Sequence, residues 1–234
     1  YATYTDGFSC GQKAGEWLFG DRPFTIINNG KDIDRFLFKP EKRNKYRKKL
    51  VALDDEILLG HVGLFHRQKN HDFLIDVFNE VCKKSNRYKL VLIGEGEDQK
   101  KIREKVEQLG LSEKVIFLGR QSNVQDWLQA LDIMVFPSLF EGMPNVVLEW
   151  QIAGLPALIS DVITRECGIM DTVSYLPLEK GSEYWADQIL HTPLNDRENT
   201  KEAIRKRFVE AGFDIQENAK VLKNKYIELL ERSK

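Results

Sequence analysis

Seven short apolar runs recur along the chain, at 24–27, 57–64, 88–94, 114–119, 133–136, 156–160 and 173–176. Most lack the alternation of a half-exposed strand, a pattern that fits strands buried on both faces of a parallel sheet. Amphipathic helical stretches separate them. In 71–85, Phe73, Val77 and Val81 repeat at spacing four beside Leu74 and Phe78, and Asn70 is placed to cap the start. In 97–109, Ile102, Val106 and Leu109 share a face, with Gly110 just past the end. In 122–131, Val124, Trp127, Leu128 and Leu131 face inward. Strand, helix and strand in repetition predict right-handed βαβ units. The fold class is therefore α/β, a doubly wound, Rossmann-like parallel sheet spanning about 24–195.

The two ends read differently. Residues 8–19 predict one amphipathic helix with Phe8, Trp17, Leu18 and Phe19, stopped by Gly20. Residues 197–232 predict two helices with no strand between them. Neither end is expected to add a strand to the sheet. The opening residues, YATYTDGFSC, carry no initiator Met, no basic region and no apolar core of a leader peptide. The first residue is read as a cut.

Composition narrows the function classes. At 234 residues the chain suits one large domain, or one domain with a fragment of another. The 35 basic and 36 acidic residues leave a formal net charge of -1. No global field draws nucleic acid, and any anion must be met by local groups. The apolar runs are too short to cross a bilayer. Cys10, Cys82 and Cys167 are far apart and form no CxxC, which reads as reduced thiols in a cytoplasmic protein. His61, His66 and His71 are spaced by five, a poor match to metal-ligand spacing, and no metal site is expected. Residues 39–49 hold seven basic side chains and the single acid Glu41. With Tyr46, Leu50 and Leu53 as an apolar stripe, they read as a solvated helix. Peripheral contact with anionic lipid at the inner face of the membrane is the alternative.

A doubly wound sheet binds ligands at the carboxyl ends of its strands, so the strand-to-helix loops hold the candidate chemistry. The loop Gly94-Glu95-Gly96-Glu97 lacks the third glycine of a dinucleotide fingerprint, because position 99 is Gln99, and its two acids would repel a pyrophosphate. Arg67 and Lys69 stand between a strand end and a helix start, where cations and backbone N–H groups suit a phosphate; a solvated basic turn is the bland alternative. The loop after 133–136 is richer. Pro144 suits a first helical position, Gly142 permits close approach of a ligand, and the helix start offers N–H groups near Asn145 and Val146. Glu141 before that helix and Glu149 within it can accept hydrogen bonds from hydroxyls of one ligand. Phosphate donors beside hydroxyl acceptors suit a nucleotide-sugar.

Glu141 and Glu149, with GMPNVVL between them and Trp150-Gln151-Ile152-Ala153-Gly154-Leu155-Pro156 after, resemble the E-x7-E signature of family-4 retaining glycosyltransferases. The turn IINNGKDIDRF, then GHVGLFHRQKNHDFLI, VLIGEGE, KVIFLG and VFPSLFEGMPNVVLE, follow that family's order, in the manner of bacterial exopolysaccharide and capsule enzymes. The resemblance implies a GT-B fold of which this chain is the C-terminal, donor-binding half. It implies that Lys69 contacts the donor diphosphate, that Glu141 holds the transferred sugar, and that Glu149 binds the ribose. It places Gly142, Met143, Pro144, Asn145 and Val146 around sugar and phosphate. Gly119, Arg120 and Gln121 would frame the base, and Arg67 would assist the phosphate. Residues 1–20 become a remnant of an N-terminal acceptor domain, 21–195 the donor domain, and 196–234 helices that pack on it or cross back to the first domain.

The implied substrate is a UDP- or GDP-linked sugar, transferred with retention and without a metal or other cofactor. The acceptor would be a saccharide or lipid-linked, bound mainly by the absent first domain. One departure stands out. The family usually places arginine directly after the glycine ending the second strand, and here Gly63 is followed by Leu64. An inactive nucleotide-sugar-binding or assembly subunit, and a nucleotide-sugar epimerase on a similar fold, are the alternatives.

Overall fold

The apolar runs pair with one another much as their lack of alternation requires. The computed structural model describes residues 6–232. In chain order the elements are β1 (Gly7–Ser9), α1 (Gln12–Phe19), β2 (Phe24–Ile26), α2 (Ile33–Phe36), α3 (Pro40–Lys49), β3 (Ile57–Val62), α4 (His71–Lys84), β4 (Tyr88–Ile93) and α5 (Gln99–Gln108). There follow β5 (Val115–Gly119), α6 (Val124–Trp127), β6 (Ile133–Phe136), α7 (Asn145–Ile152), β7 (Ala157–Ser160), β8 (Val173–Leu176), α8 (Gly181–His191), α9 (Lys201–Glu210) and α10 (Ile215–Arg232).

Six strands form one parallel sheet in the order β5-β4-β3-β6-β7-β8. The chain winds outward from β3 in one direction through β5, then returns to the other side of β3 and winds through β8. That reversal puts a crevice between the carboxyl ends of β3 and β6, the place where such sheets bind ligands. Two apolar layers hold the sheet. One carries Leu74, Phe78, Val81, Ile102, Val106 and Trp185 from α4, α5 and α8. The other carries Tyr46, Trp127, Val147, Trp150, Ile204 and Phe208 from α3, α6, α7 and α9. Trp127 and Trp150 are thus core residues, as their spacing suggests.

Several sequence-based expectations need correction. The run at 24–27 does not join the main sheet: β2 pairs in parallel with β1 to make a separate two-stranded ribbon. Residues 8–19 are not one helix. Gly7–Ser9 is extended to make that pairing, and the helix starts only at Gln12, with Phe19 stacked on Phe24 at 5.7 Å. Residues 1–5 of the proposed first segment, and 233–234 of the last, lie outside the described residues. Asn70 precedes α4, but its side chain makes no capping bond. It adopts a left-handed φ of 55°, a conformation asparagine tolerates, to close the turn Arg67–Lys69. Pro144 sits one position earlier than expected, as the residue before the first helical turn.

The basic helix α3 is only partly solvated. Arg47 is 8% exposed and donates to the Leu53 and Glu56 carbonyls and to Asp132. Arg43, one turn earlier, pairs with the other Asp132 oxygen at 2.6 Å and reaches the Gln129, Ala130 and Leu131 carbonyls. Buried Arg197 donates to Leu128, Gln129, Leu131 and Ala153 carbonyls. The turn at 128–132 leaves carbonyls that must be paired once buried, and the five-donor guanidinium does this for several at once. Leu53, expected in the packed stripe, is exposed.

Candidate functional site

The loops after β3 and β6 are stitched together before any side chain is considered. Leu139 N–H donates to the Gln68 carbonyl at 2.8 Å, and Gln68 Nε2 donates to the Phe140 carbonyl at 2.9 Å. Within this frame Lys69 Nζ lies 2.6 Å from Glu141 Oε1. Both side chains are mostly buried, and the ammonium also stands 4.8 Å from the centre of the Phe136 ring. The two groups predicted to meet phosphate and sugar thus share one point of the crevice.

The loop after β4 is structural. A Cβ on Gly94, at φ 144°, would lie 1.9 Å from the Gly63 carbonyl oxygen, and one on Gly96 would lie 2.3 Å from that of Phe65. These glycines let the β4 loop pack closely on the β3 loop. Glu95 is turned to the end of β5, where its carboxylate accepts the Arg120 N–H at 3.3 Å. There Gly119 has a φ of 66°, Gln121 spans the Leu118 carbonyl and the Trp127 indole, and Arg120 is exposed.

After β6, α7 starts at Asn145 with no side-chain cap. Its first N–H groups, at Asn145 and Val146, are where an unpaired helix start favours negative charge. Glu141, Gly142 and Met143 line a cavity of about 280 Å³ together with Trp17, Lys13, Thr164 and Glu166. Trp17 is 86% exposed. Arg67 lines a different cavity, with His71, Asp72, Asp98 and Lys101.

Glu149 meets a residue that sequence reasoning passed over. Lys31 Nζ donates to Glu149 Oε1 at 2.9 Å. Lys13, Trp17, Thr164 and Glu166 were likewise missed, since nothing in their local pattern announces a pocket. Buried Gln151 also went unread. Its amide donates to the Val147 and Cys167 carbonyls and accepts the Ile169 and Met170 N–H groups, tying α7 to the turn that bears Glu166. Leu64 is 66% exposed at the strand end.

His61 and His71 lie beneath Lys69 and are buried. His61 Nδ1 is 2.9 Å from the Val135 carbonyl, and His71 stacks on Phe65 with ring centres 4.1 Å apart. Burial pushes the His61 imidazole down to about 4, with Lys69 acting the same way, and His71 is lowered by burial, His61 and Lys69. Folded, the pair therefore binds fewer protons than unfolded. The stability that depends on it is complete above the unfolded pKa near 6.5 and falls as pH drops toward 4. Chemical denaturation at pH 7 and pH 5 should show a loss at pH 5 that is clearly smaller in His71→Phe; an equal loss in both would contradict this. Among the described residues, no group of three or more His, Cys, Asp or Glu side chains could hold a metal ion.

Comparison with known proteins adds sequence and fold relatives. Residues 42–207 match the family described as glycosyl transferases group 1. The putative glycosyltransferase EpsF of Bacillus subtilis is 32% identical over 224 residues, 93% of this chain and 58% of that protein. A UDP-Gal:alpha-D-GlcNAc-diphosphoundecaprenol alpha-1,3-galactosyltransferase of Escherichia coli is 22% identical over 88% of this chain and 54% of that protein. The chain therefore spans little more than half of these relatives. Among solved structures, Anabaena HepE in complex with UDP and glucose matches with a TM-score of 0.75 at 20% identity, covering 94% of this chain and 62% of that one. Staphylococcus aureus TarM matches with a TM-score of 0.72 at 20% identity, over 94% of this chain and 43% of that one. These structures carry the GT-B fold, and the doubly wound sheet described above is its Rossmann-like half.

Proposed function

The chain belongs to the glycosyl transferases group 1, and from that premise we propose that it is the donor-binding part of a retaining, metal-independent hexosyltransferase. Its donor is a UDP- or GDP-linked sugar, and its acceptor a saccharide or a lipid-linked saccharide. The observation that carries this reading is the Lys69–Glu141 contact at the point where the sheet reverses its winding. An ammonium suits a diphosphate, a carboxylate suits sugar hydroxyls, and the two come from adjacent strands.

In this reading the diphosphate lies between Lys69 and the start of α7. Negative charge grows on the leaving phosphate in the transition state, so donors already aimed at it lower the barrier. The Asn145 and Val146 N–H groups and Lys69 are such donors. Glu141 positions the transferred sugar, and Gly142, Met143 and Pro144 shape the space beside it. Glu149 takes the ribose, and Gly119, Arg120 and Gln121 edge the base. The acceptor enters over the cavity lined by the Trp17 indole and the Glu166 carboxylate, a pairing suited to sugar rings. Residues 6–20 then belong to the acceptor side, 21–195 to the donor domain, and 196–232 to helices that support it. The reduced thiols of the described chain suit a cytoplasmic setting, with the acceptor met at the inner face of the membrane.

Leu64 favours a second reading, a nucleotide-sugar-binding subunit without turnover. Release of nucleoside diphosphate from a panel of UDP- and GDP-hexoses, measured on the protein that carries this chain, separates the two. Release stimulated by saccharide acceptors is expected. Binding without any release would favour the subunit. Leu64 also yields a prediction of its own. A charge-assisted hydrogen bond to phosphate is worth ~1.5–3 kcal/mol, so Leu64→Arg should tighten nucleoside-diphosphate binding about tenfold. Calorimetric titration checks this, and unchanged affinity in a folded variant would mean that no phosphate approaches that position.

A further inference from the structure

Glu149 does not stand alone on α7. Lys31 Nζ donates to its Oε1 at 2.9 Å, and the two side chains are only 12% and 19% exposed. Among the described residues the other oxygen, Oε2, has no protein partner. Lys31 is itself held firmly. Its N–H donates to the Phe213 carbonyl at 2.7 Å, and its carbonyl accepts from Ile215 N–H at 3.1 Å. The same turn is fastened by Asn218 Nδ2 to the Asn28 carbonyl and by Asn28 Nδ2 to the Ala211 carbonyl. The corner between α9 and α10 thus fixes the backbone of Lys31, and Lys31 fixes one oxygen of Glu149.

A carboxylate on a flexible stem has many rotamers, and its second oxygen points nowhere in particular until the first is tied. A cation on one oxygen also offsets the cost of keeping the charge partly out of water. A lysine used in this way leaves a directed acceptor instead of a wandering one. We propose that Lys31 is a positioning residue for the donor's ribose: by holding Oε1 it presents Glu149 Oε2 to the vicinal ribose hydroxyls. The inference rests on the reading that Glu149 binds the ribose. It makes the corner between α9 and α10, remote in sequence from α7, part of what selects a ribonucleotide.

A ligand lacking those hydroxyls separates this role from direct phosphate contact and from mere structural support. The affinities of the full chain for UDP, GDP and their 2′,3′-dideoxy counterparts are measured by calorimetry for wild type, Lys31→Met and Lys31→Arg. Loss of one hydrogen bond to a charged group corresponds to about a tenfold loss of affinity. Lys31→Met should therefore weaken the preferred ribonucleotide about tenfold and leave its dideoxy counterpart unchanged. Lys31→Arg should keep most of the preference. If Lys31→Met does not fold, Lys31→Gln, which keeps a donor without the charge, replaces it. Equal loss for both ligands, or no loss for either, overturns the inference while leaving the donor reading intact. Failure of the wild type to bind any of the four ligands overturns the donor reading, and the inference with it.

Discussion

Lys69→Ala should reduce turnover of the nucleotide-sugar by about 10²–10³-fold, the range found when a single preorganised donor to a developing negative charge is removed. Lys69 is the cation that the structure places in the crevice between β3 and β6, 2.6 Å from Glu141. Its removal does two kinds of harm. The leaving diphosphate loses a partner whose attraction grows as its charge grows. Glu141 is also left without its counter-charge in a mostly buried position, where it would repel the same phosphate. Lys69→Arg should recover little, because a broad planar guanidinium cannot take the place of a compact ammonium packed over the Phe136 ring. Steady-state kinetics on the protein carrying the chain reads the effect as a fall in kcat/KM. A change of less than about threefold, set against the range above, would mean that Lys69 is a structural partner of Glu141 and nothing more.

The two glutamates are expected to fail in different ways. Glu141→Gln should leave affinity for the bare nucleoside diphosphate nearly unchanged, since that ligand has no transferred sugar. It should weaken the intact nucleotide-sugar and depress turnover. Glu149→Gln should weaken both ligands alike, because both carry the ribose. Each lost carboxylate-to-hydroxyl contact should cost ~1.5–3 kcal/mol, the range for hydrogen bonds to charged groups. Two surface acids beside a helix would give no change in either ligand. Equal losses from Glu141→Gln for both ligands would move the sugar pocket away from the cavity lined by Gly142 and Met143.

The main sheet was legible because burial on both faces leaves a mark in its central strands: β3, β4, β6 and β7 are almost continuously apolar and almost wholly buried. The meeting of Lys69 and Glu141 was legible for a related reason. Each follows a strand by a few residues, and parallel strands deliver such loops to one edge. Other features depend on contacts that no local pattern reports. Phe24–Ile26 looks like any short buried run, and only the company of Gly7–Ser9 makes it part of a separate ribbon. The seven cations of 39–49 look alike in sequence, yet Arg43 and Arg47, one turn apart, face the carbonyls of 128–132 while Lys45, Lys48 and Lys49 do not. Asn70 has the composition of a cap, but the preceding turn claims it as a left-handed hinge point. Lys31 and Glu149 are 118 residues apart, and the backbone of Lys31 is held at the corner between α9 and α10.

The central claim is that the crevice between β3 and β6 binds a nucleoside diphosphate through Lys69. Calorimetric titration of UDP and GDP into the wild-type chain and into Lys69→Ala tests it most directly. One of the two nucleotides should bind the wild type, and the alanine variant should bind it at least tenfold more weakly, as loss of a charge-assisted contact requires. Binding of neither nucleotide, or equal binding by both proteins, would contradict the account.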